Sequence, residues 1–531
     1  MKALLLGLSG LLLLGLFSTE LSDPDAWWHL ATGRFIVTQH RLPVPDPFAY
    51  TTAMAPPANR AEARTRYFNL THEWLAQAVW YCIESAGGFA AVVLWKALLL
   101  ALLCGLSGWV AWRRTGSMLW GIGAALGAAS LATVFDHDRP SILSYVFTAA
   151  FIAIFESRKR LWLLPLLAVT WANCHGGFFL GWIVCAAYCV EAFRKRERPV
   201  LIYSAAAVLV SGINPNGFNA VATVLDYRKS PLQSTLIEWS PASLWGAPYA
   251  FDLLLYAAAI VMLWQWRRVR MSDWILFAAF AAASLAAFRN EMLVGVIAPI
   301  IIASYFPWQR AIPKAAIAAL LAAGLIYGSV RGAFFQLRAA EWAYPAGAVN
   351  AIPAGAHLFN TYEDGGYLIW RGQRVFIDGR ALSEGVFQDY RLIMGTPPGD
   401  PRREATLAKY GIDAILVNSF EYNSGVLYPV VLALAQMPEW NLVYDDPAGM
   451  LFVRNGQPAL EKSRISAHLE AECLLHIEHS PEFSLCARTL GDLFLRSGNP
   501  DAARRMLGLY VAHPYADDPD ARRAYQQLLA K

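Results

Sequence analysis

Charge is what this sequence has least of. Only 16% of its 531 residues are Asp, Glu, Lys or Arg, while 56% are hydrophobic, a balance too apolar for a soluble chain of this length. The formal net charge of +4 is too small to imply a nucleic-acid partner, so the placement of the basic residues carries the information instead. The seven cysteines (Cys82, Cys104, Cys174, Cys185, Cys189, Cys473, Cys486) form no CxxC pair and five lie in or beside apolar segments, which indicates neither a disulfide framework nor a zinc site. Small-x-small spacing is missing after the first apolar run, Ala3 to Phe17, where Ser18-Thr19-Glu20-Leu21 follows. That run is expected to remain as an uncleaved first span. There is also no internal repeat and no mid-span carboxylate, features that a transporter built of two related halves would show.

What is present is aromatic and greasy: 20 Trp and 27 Phe suit a bilayer protein. Apolar segments recur near 3–17, 89–112, 118–135, 141–155, 161–173, 177–193, 199–213, 249–266, 273–288, 292–306 and 315–330. This predicts about eleven spans, several shorter than the roughly 20 residues of a perpendicular helix. Alternate connections carry Arg113-Arg114, Arg158-Lys159-Arg160, Arg194-Lys195-Arg196 with Arg198, Arg267-Arg268 with Arg270, and Arg310 with Lys314, and the positive-inside rule makes these cytoplasmic. The opposite set, including a long loop from about 19 to 88 and everything after about 331, is then outside.

With that orientation, Asp23, Asp25, Asp136, Asp138, Asp226, Glu238 and Glu291 fall on one external face. Ionisable groups at membrane depth cost about 2.5–3.5 kcal/mol each, so their gathering on one side suggests a site, although helix ends at the water interface would look alike. The densest stretch is Leu21 to Arg34, LSDPDAWWHLATGR. Asp23 and Asp25 repel one another unless a cation or positively charged substrate lies between them, and Trp27 and Trp28 suit a bilayer surface. Asp136-His137-Asp138-Arg139-Pro140 repeats the carboxylate spacing beside a guanidinium able to hold phosphate.

These motifs, in this order and on this side, resemble those of GT-C fold membrane glycosyltransferases, distantly the catalytic subunits of oligosaccharyltransferases. SDPDAWWHLAT is similar to the acidic motif of the first external loop and puts Asp25 at the position that binds metal and faces the acceptor. Asp136-His137-Asp138 occupies the place of the second Asp-x-Asp motif. Thr235-Leu236-Ile237-Glu238 keeps the Thr and Glu of a Thr-Ile-x-Glu motif, and Arg289 matches an arginine that contacts the lipid pyrophosphate. Tyr362-Glu363-Asp364-Gly365-Gly366-Tyr367 keeps the Asp, one Gly and a Tyr of an acceptor-recognising Trp-Trp-Asp-Tyr-Gly motif but lacks the paired Trp. The resemblance therefore reaches the catalytic half and stops short of peptide-sequon recognition.

The expected organisation is a GT-C-like polytopic α-helical membrane domain over 1–335, an external α/β domain over 336–460 and a helical tail over 461–531. Short apolar runs at 357–359, 375–377, 414–417, 442–444 and 451–453 read as strands, with helices near 403–410 and 430–437. Asn360, Asp364, Asp378 and Arg380 would sit at strand ends, where open sheets bind ligands. Leu490 to Ala503 reads as the helix, turn and helix start of a tetratricopeptide-like repeat, which would pack on the α/β domain or on a protein partner.

The resemblance implies an enzyme of the inner (plasma) membrane with its C-terminal domain periplasmic or extracellular. It would move a sugar or oligosaccharide from a lipid-(pyro)phosphate donor to an acceptor protein, glycan or lipid. A divalent ion, Mg or Mn, would be held by Asp25, Asp138, Glu238 and Asp136, and phosphate by Arg139 and Arg289. Asp25 would orient or deprotonate the acceptor, with Asp23, His29, Trp28, Asp364 and Tyr367 as substrate contacts. His175 is as readily a structural hydrogen-bonder. The alternative is a non-catalytic assembly or scaffold protein, which would need no metal; a lipid or glycan transporter is the weaker rival.

Overall fold

The computed structural model describes residues 1–227, 237–245, 249–306, 312–421, 424–455, 460–480, 484–513 and 518–530. The protein is mostly helical, with one four-stranded sheet and one two-stranded sheet among the described residues. It separates into two units, Met1–Pro45 with Pro57–Ala339, and Asp46–Pro56 with Ala340–Lys531.

In the first unit each apolar segment of the sequence is helical: Lys2–Phe17, Trp74–Thr115, Met118–Ala132, Ser141–Ser157, Leu163–Cys174, Phe179–Lys195, Arg198–Val210, Tyr249–Trp264, Met271–Ala286, Met292–Tyr305 and Lys314–Val330. Among the described residues, three stretches, Arg60–Thr115, Gly176–Lys195 and Phe288–Tyr305, are long and apolar enough to cross a membrane. The other eight apolar helices are 10–17 residues long. Helix is the outcome an apolar run takes where no water can satisfy its backbone. Met292–Tyr305 is buried along most of its length, with Val294, Val296, Ile297, Ile300 and Ile301 fully buried. The long helix Trp74–Thr115 is interrupted at Gly88, whose φ of 64° lies in the left-handed region that favours glycine. The break separates a leading portion that carries Gln77, Glu84 and Ser85 from the longer apolar run that follows.

Charge also ties these helices together. Arg114 pairs with Asp273 at 3.0 Å and with Glu156 at 2.9 Å, and Arg270 reaches Glu156 at 2.7 Å. Tyr188 donates its hydroxyl to Glu156 at 2.6 Å and Tyr305 to Asp273 at 2.5 Å. Two arginines thus meet two carboxylates whose remaining lone pairs are also occupied, the arrangement that lets buried ions offset their desolvation.

The second unit is built on a sheet of order β1-β2-β6-β5, from β1 (Leu358–Asn360), β2 (Ala414–Val417), β5 (Trp440–Asp446) and β6 (Gly449–Arg454). Strand β1 runs parallel to β2 in the register Leu358 to Ala414, while β6 is antiparallel to both β2 and β5. Strands β3 (Phe420–Glu421) and β4 (Val426–Leu427) make the small hairpin. The run 375–377 is not a fifth strand. It makes a single parallel bridge from Val375 to Ala49 and is also held by Asn360, whose side chain accepts the Phe376 N–H at 2.9 Å and donates to the Ile377 carbonyl at 2.9 Å.

Segment Asp46–Pro56 thus belongs to the second unit. Asp46 pairs with Arg380 at 2.7 Å, Arg380 pairs with Asp378 at 2.7 Å, and the Thr51 hydroxyl donates to the Phe376 carbonyl at 2.6 Å. Gly365 sits against this network, and a Cβ there would lie 2.2 Å from the Ile377 carbonyl oxygen. Helices Arg464–His479, Leu485–Arg496, Pro500–Ala512 and Pro519–Leu529 follow the sheet. The first is joined to the strand region by Glu472, which accepts the Ser419 N–H at 2.8 Å, and to the second by a Cys473–Cys486 disulfide. Cysteine spacing alone did not indicate that bond, because the pair is 13 residues apart and makes no short motif.

Candidate functional site

In the first unit the acidic turn after helix Lys2–Phe17 is shaped by its own chemistry. Pro24 opens helix Pro24–Gln39, and the Asp23 carboxylate caps it by accepting the Asp25 N–H at 2.9 Å. Both carboxylates are thereby held at a helix N-terminus, where the aligned peptide dipoles favour negative charge. Trp28, one turn on, donates its indole N–H to Asp25 at 2.9 Å.

Arg139 enters from the turn before helix Ser141–Ser157. Its Nε donates to Asp23, and its Nη1 lies 3.1 Å from Asp25 Oδ2 and 2.8 Å from Glu238 Oε1. Glu238, in the short turn Ile237–Trp239, is also 3.5 Å from Arg289 Nη1. The Arg289 guanidinium lies 4.9 Å from the centre of the Trp239 ring, and the Tyr145 hydroxyl donates to the Arg289 carbonyl at 2.6 Å. A cavity opens beside these groups, lined by His137, Arg139, Ser141, Tyr145, Glu238 and Arg289 among others.

Burial, opposed by Arg139 and reinforced by the charges of Asp23 and Glu238, pushes Asp25 up to about 6. Burial would raise Asp23 too, yet Arg139 and His137 outweigh it and hold that carboxyl below its ordinary value. Glu238 is also held low: burial raises it, and Arg139 with Arg289 more than compensates. Neighbouring carboxylates with pKa values driven apart are the pattern of a site that needs one acid ionised and another able to take a proton near neutrality.

The other expected residues face other partners. Asp138 is turned away from Arg139: its Oδ1 lies 2.9 Å from Lys96 Nζ and its Oδ2 accepts the N–H groups of Ser22 at 3.1 Å and Asp23 at 3.4 Å. Burial, opposed by Lys96, raises it to about 6. Asp136 accepts the Thr19 hydroxyl at 3.0 Å. His29 is buried against Trp28, with its Nδ1 3.2 Å from Gln77 Nε2 and 3.6 Å from Glu73. His72 and His175 approach the same Glu73 at 3.5 and 3.7 Å, and the Nδ1 of His175 accepts the Gly177 N–H at 3.1 Å. Thr235 and Leu236 of the third motif lie outside the described residues. Asp364 and Tyr367 are in the interior of the second unit, 4% and 0% exposed; the Thr361 hydroxyl donates to Asp364, and Tyr367 stacks on Tyr344. Asn360, Asp378 and Arg380 are likewise buried in the network that holds 375–377 and Asp46.

Lys96 is the residue that sequence reasoning passed over. Its signal was a lone lysine inside the apolar segment 89–112, a placement that calls for a named partner.

The donor set expected for a divalent ion does not fit one. Hard cations take several carboxylate oxygens at about 2.0–2.6 Å. Here Asp25 and Glu238 are both turned onto one guanidinium, Asp138 onto an ammonium and two backbone N–H groups, and Asp136 onto the Thr19 hydroxyl. Among the described residues no group of three or more His, Cys, Asp or Glu is arranged to hold a metal ion.

No family model matches the chain, and no curated protein matches it. Among solved structures it is similar to an archaeal oligosaccharyltransferase, AglB from Archaeoglobus fulgidus, solved in complex with an inhibitory peptide and a dolichol-phosphate. The TM-score is 0.52 at 11% identity, over 86% of this chain and 74% of that one. At that identity the likeness is one of fold.

Proposed function

We propose that this chain is a multi-pass membrane glycosyltransferase that moves a sugar or oligosaccharide from a lipid-(pyro)phosphate donor to an acceptor on the external face. The observation that carries this reading is the meeting of Asp23, Asp25 and Glu238 with Arg139, and of Glu238 with Arg289, from turns distant in the chain, within a fold similar to that of a protein solved with a dolichol-phosphate. We read the eleven apolar helices as spans, the basic connections as cytoplasmic, and the second unit as periplasmic or extracellular, with the inner membrane as its location. The disulfide in the helical tail supports that side, since such bonds persist in oxidising compartments. The tail itself is read as a tetratricopeptide-like module able to meet a protein partner.

In the transfer, a lone pair on the acceptor atom forms the new bond to the anomeric carbon as the bond from that carbon to the phosphate oxygen breaks. The leaving (pyro)phosphate carries away the electron pair. Arg139 and Arg289 border the cavity from which they can neutralise the growing charge, a stabilisation that preorganised donors supply without reorganising at the moment of reaction. Asp25 takes the proton that the acceptor loses. Trp28 fixes the orientation of that carboxylate through its indole N–H, and Asp23 anchors Arg139.

The test is to incubate reconstituted protein with lipid-linked saccharides extracted from membranes of the producing cells, and to follow transfer of label to an acceptor. Asp25→Asn should insert and fold yet lose transfer. Full activity in that variant, or no lipid-linked saccharide binding by the unmodified protein, would favour the assembly-protein alternative.

A further inference from the structure

We propose that Arg139 occupies the position a divalent ion would take, so that the carboxylates of this site are neutralised by the protein's own cations and the site works without bound metal. The inference rests on the transferase reading for its meaning, but its observations are independent of it. One guanidinium touches three carboxylates, with Nε on Asp23 and Nη1 on both Asp25 and Glu238. The contacts to Asp25 and Glu238, at 3.1 and 2.8 Å, are direct charge-assisted pairs. A planar guanidinium offers five donors in a fixed fork, enough to serve three anions at once.

The charges nearly close. Asp23, Asp25 and Glu238 bring three negative charges, and Arg139 with Arg289 two positive ones. Asp138, another of the expected ligands, is already neutralised by Lys96 with both side chains 2% exposed. A divalent ion would therefore meet one net negative charge rather than the three or four its expected ligands suggest. It would also have to expel a guanidinium from the only place where those three oxygens converge. Removing Arg139 would leave two carboxylates beside one another and a third facing them, the arrangement in which a metal is taken up.

The inference also says which substrate chemistry the site meets. With no metal to bridge it, the donor's phosphate is held by guanidinium alone, through Arg289 and the face of Arg139 that lines the cavity.

The experiment is a Mn2+ titration of the purified, chelator-treated full chain in detergent, read by the loss of the free-ion electron paramagnetic signal and by elemental analysis. The unmodified protein should show no saturable binding up to about 1 mM, the weak end of carboxylate cation sites. Arg139→Gln should acquire one site, at least about tenfold tighter, equivalent to about 1.4 kcal/mol, and Arg139→Lys, which keeps the charge, should not. One saturable Mn2+ in the unmodified protein, abolished by Glu238→Gln, overturns the inference, as does a folded Arg139→Gln variant that gains nothing. Should that variant not fold, the titration of the unmodified protein decides alone. Polyprenyl phosphate binding is measured in parallel: its absence sinks the transferase reading and leaves the metal result standing.

Discussion

Lys96 Nζ lies 2.9 Å from Asp138 Oδ1, with both side chains 2% exposed, and the same ammonium reaches the Thr19 hydroxyl at 2.8 Å. An apolar helix thereby grips the turn that precedes Asp23, because Asp138 also accepts the N–H groups of Ser22 and Asp23. Breaking a buried pair on one side leaves an uncompensated charge. Lys96→Met or Asp138→Asn alone should therefore cost about 3–5 kcal/mol, and the double variant should recover much of it. Thermal unfolding in detergent measures the cycle. A double variant as unstable as the sum of its parts would show that the two charges do not support one another.

Asp25 gives the transfer its acid limb. With its pKa raised to about 6, the proton-accepting form grows as pH rises through that value, so kcat/KM should climb between pH 5 and 7 and level above. Asp25→Asn should lower the rate at pH 7 at least about 100-fold, the lower end of what a positioned base contributes, and remove the limb from the residual activity. The limb surviving unchanged in the Asn variant would assign it to another group.

Much of the helical frame was legible because apolar length is a one-dimensional signal: each of the eleven long apolar runs of the first unit is a helix in the structure. The grouping of Asp23, Asp25 and Glu238 was approached the same way, since the alternation of basic loops leads one to expect all three on one side without any knowledge of contacts. Which acid faces which cation was not legible. Asp136, Asp138 and Arg139 are near neighbours in sequence, yet the structure turns them onto Thr19, Lys96 and the acidic turn respectively, a choice made by packing. Asp46–Pro56 carries no mark of its attachment to the second unit, because its hold is a buried Arg380 more than three hundred positions away. Run 375–377 has the composition of a strand, and Asn360 supplies by side chain the bonds that a ladder would have made.

Orientation can be tested directly. Single cysteines at Arg60 and Asp400, in a background lacking the native free thiols, should react in intact cells with a reagent that does not cross the membrane. Cysteines at Lys159 and Arg268 should react only after lysis. Equal labelling of both pairs in intact cells would refute the eleven-span reading while leaving the geometry around Arg139 untouched.

Asp364 makes the second unit's stability depend on pH in a direction opposite to that of a salt-bridged carboxylate. It is 4% exposed, and burial, only partly offset by the Thr361 hydroxyl, raises its pKa from 3.8 to about 8. Between those two values the folded chain holds a proton there that the unfolded chain has released. The contribution is therefore fully present below 3.8, falls as pH rises, and is gone above about 8. Its slope is at most about 1.4 kcal/mol per pH unit. Other groups titrate in the same window, so the quantity to measure is the difference in unfolding free energy between the unmodified protein and Asp364→Asn, at pH 5, 6.5 and 8. Asn keeps the shape and stays neutral, so the unmodified protein should lose ground to it steadily across that range. A difference that does not change with pH would mean that the buried carboxyl is ionised throughout and is stabilised by a partner other than its proton.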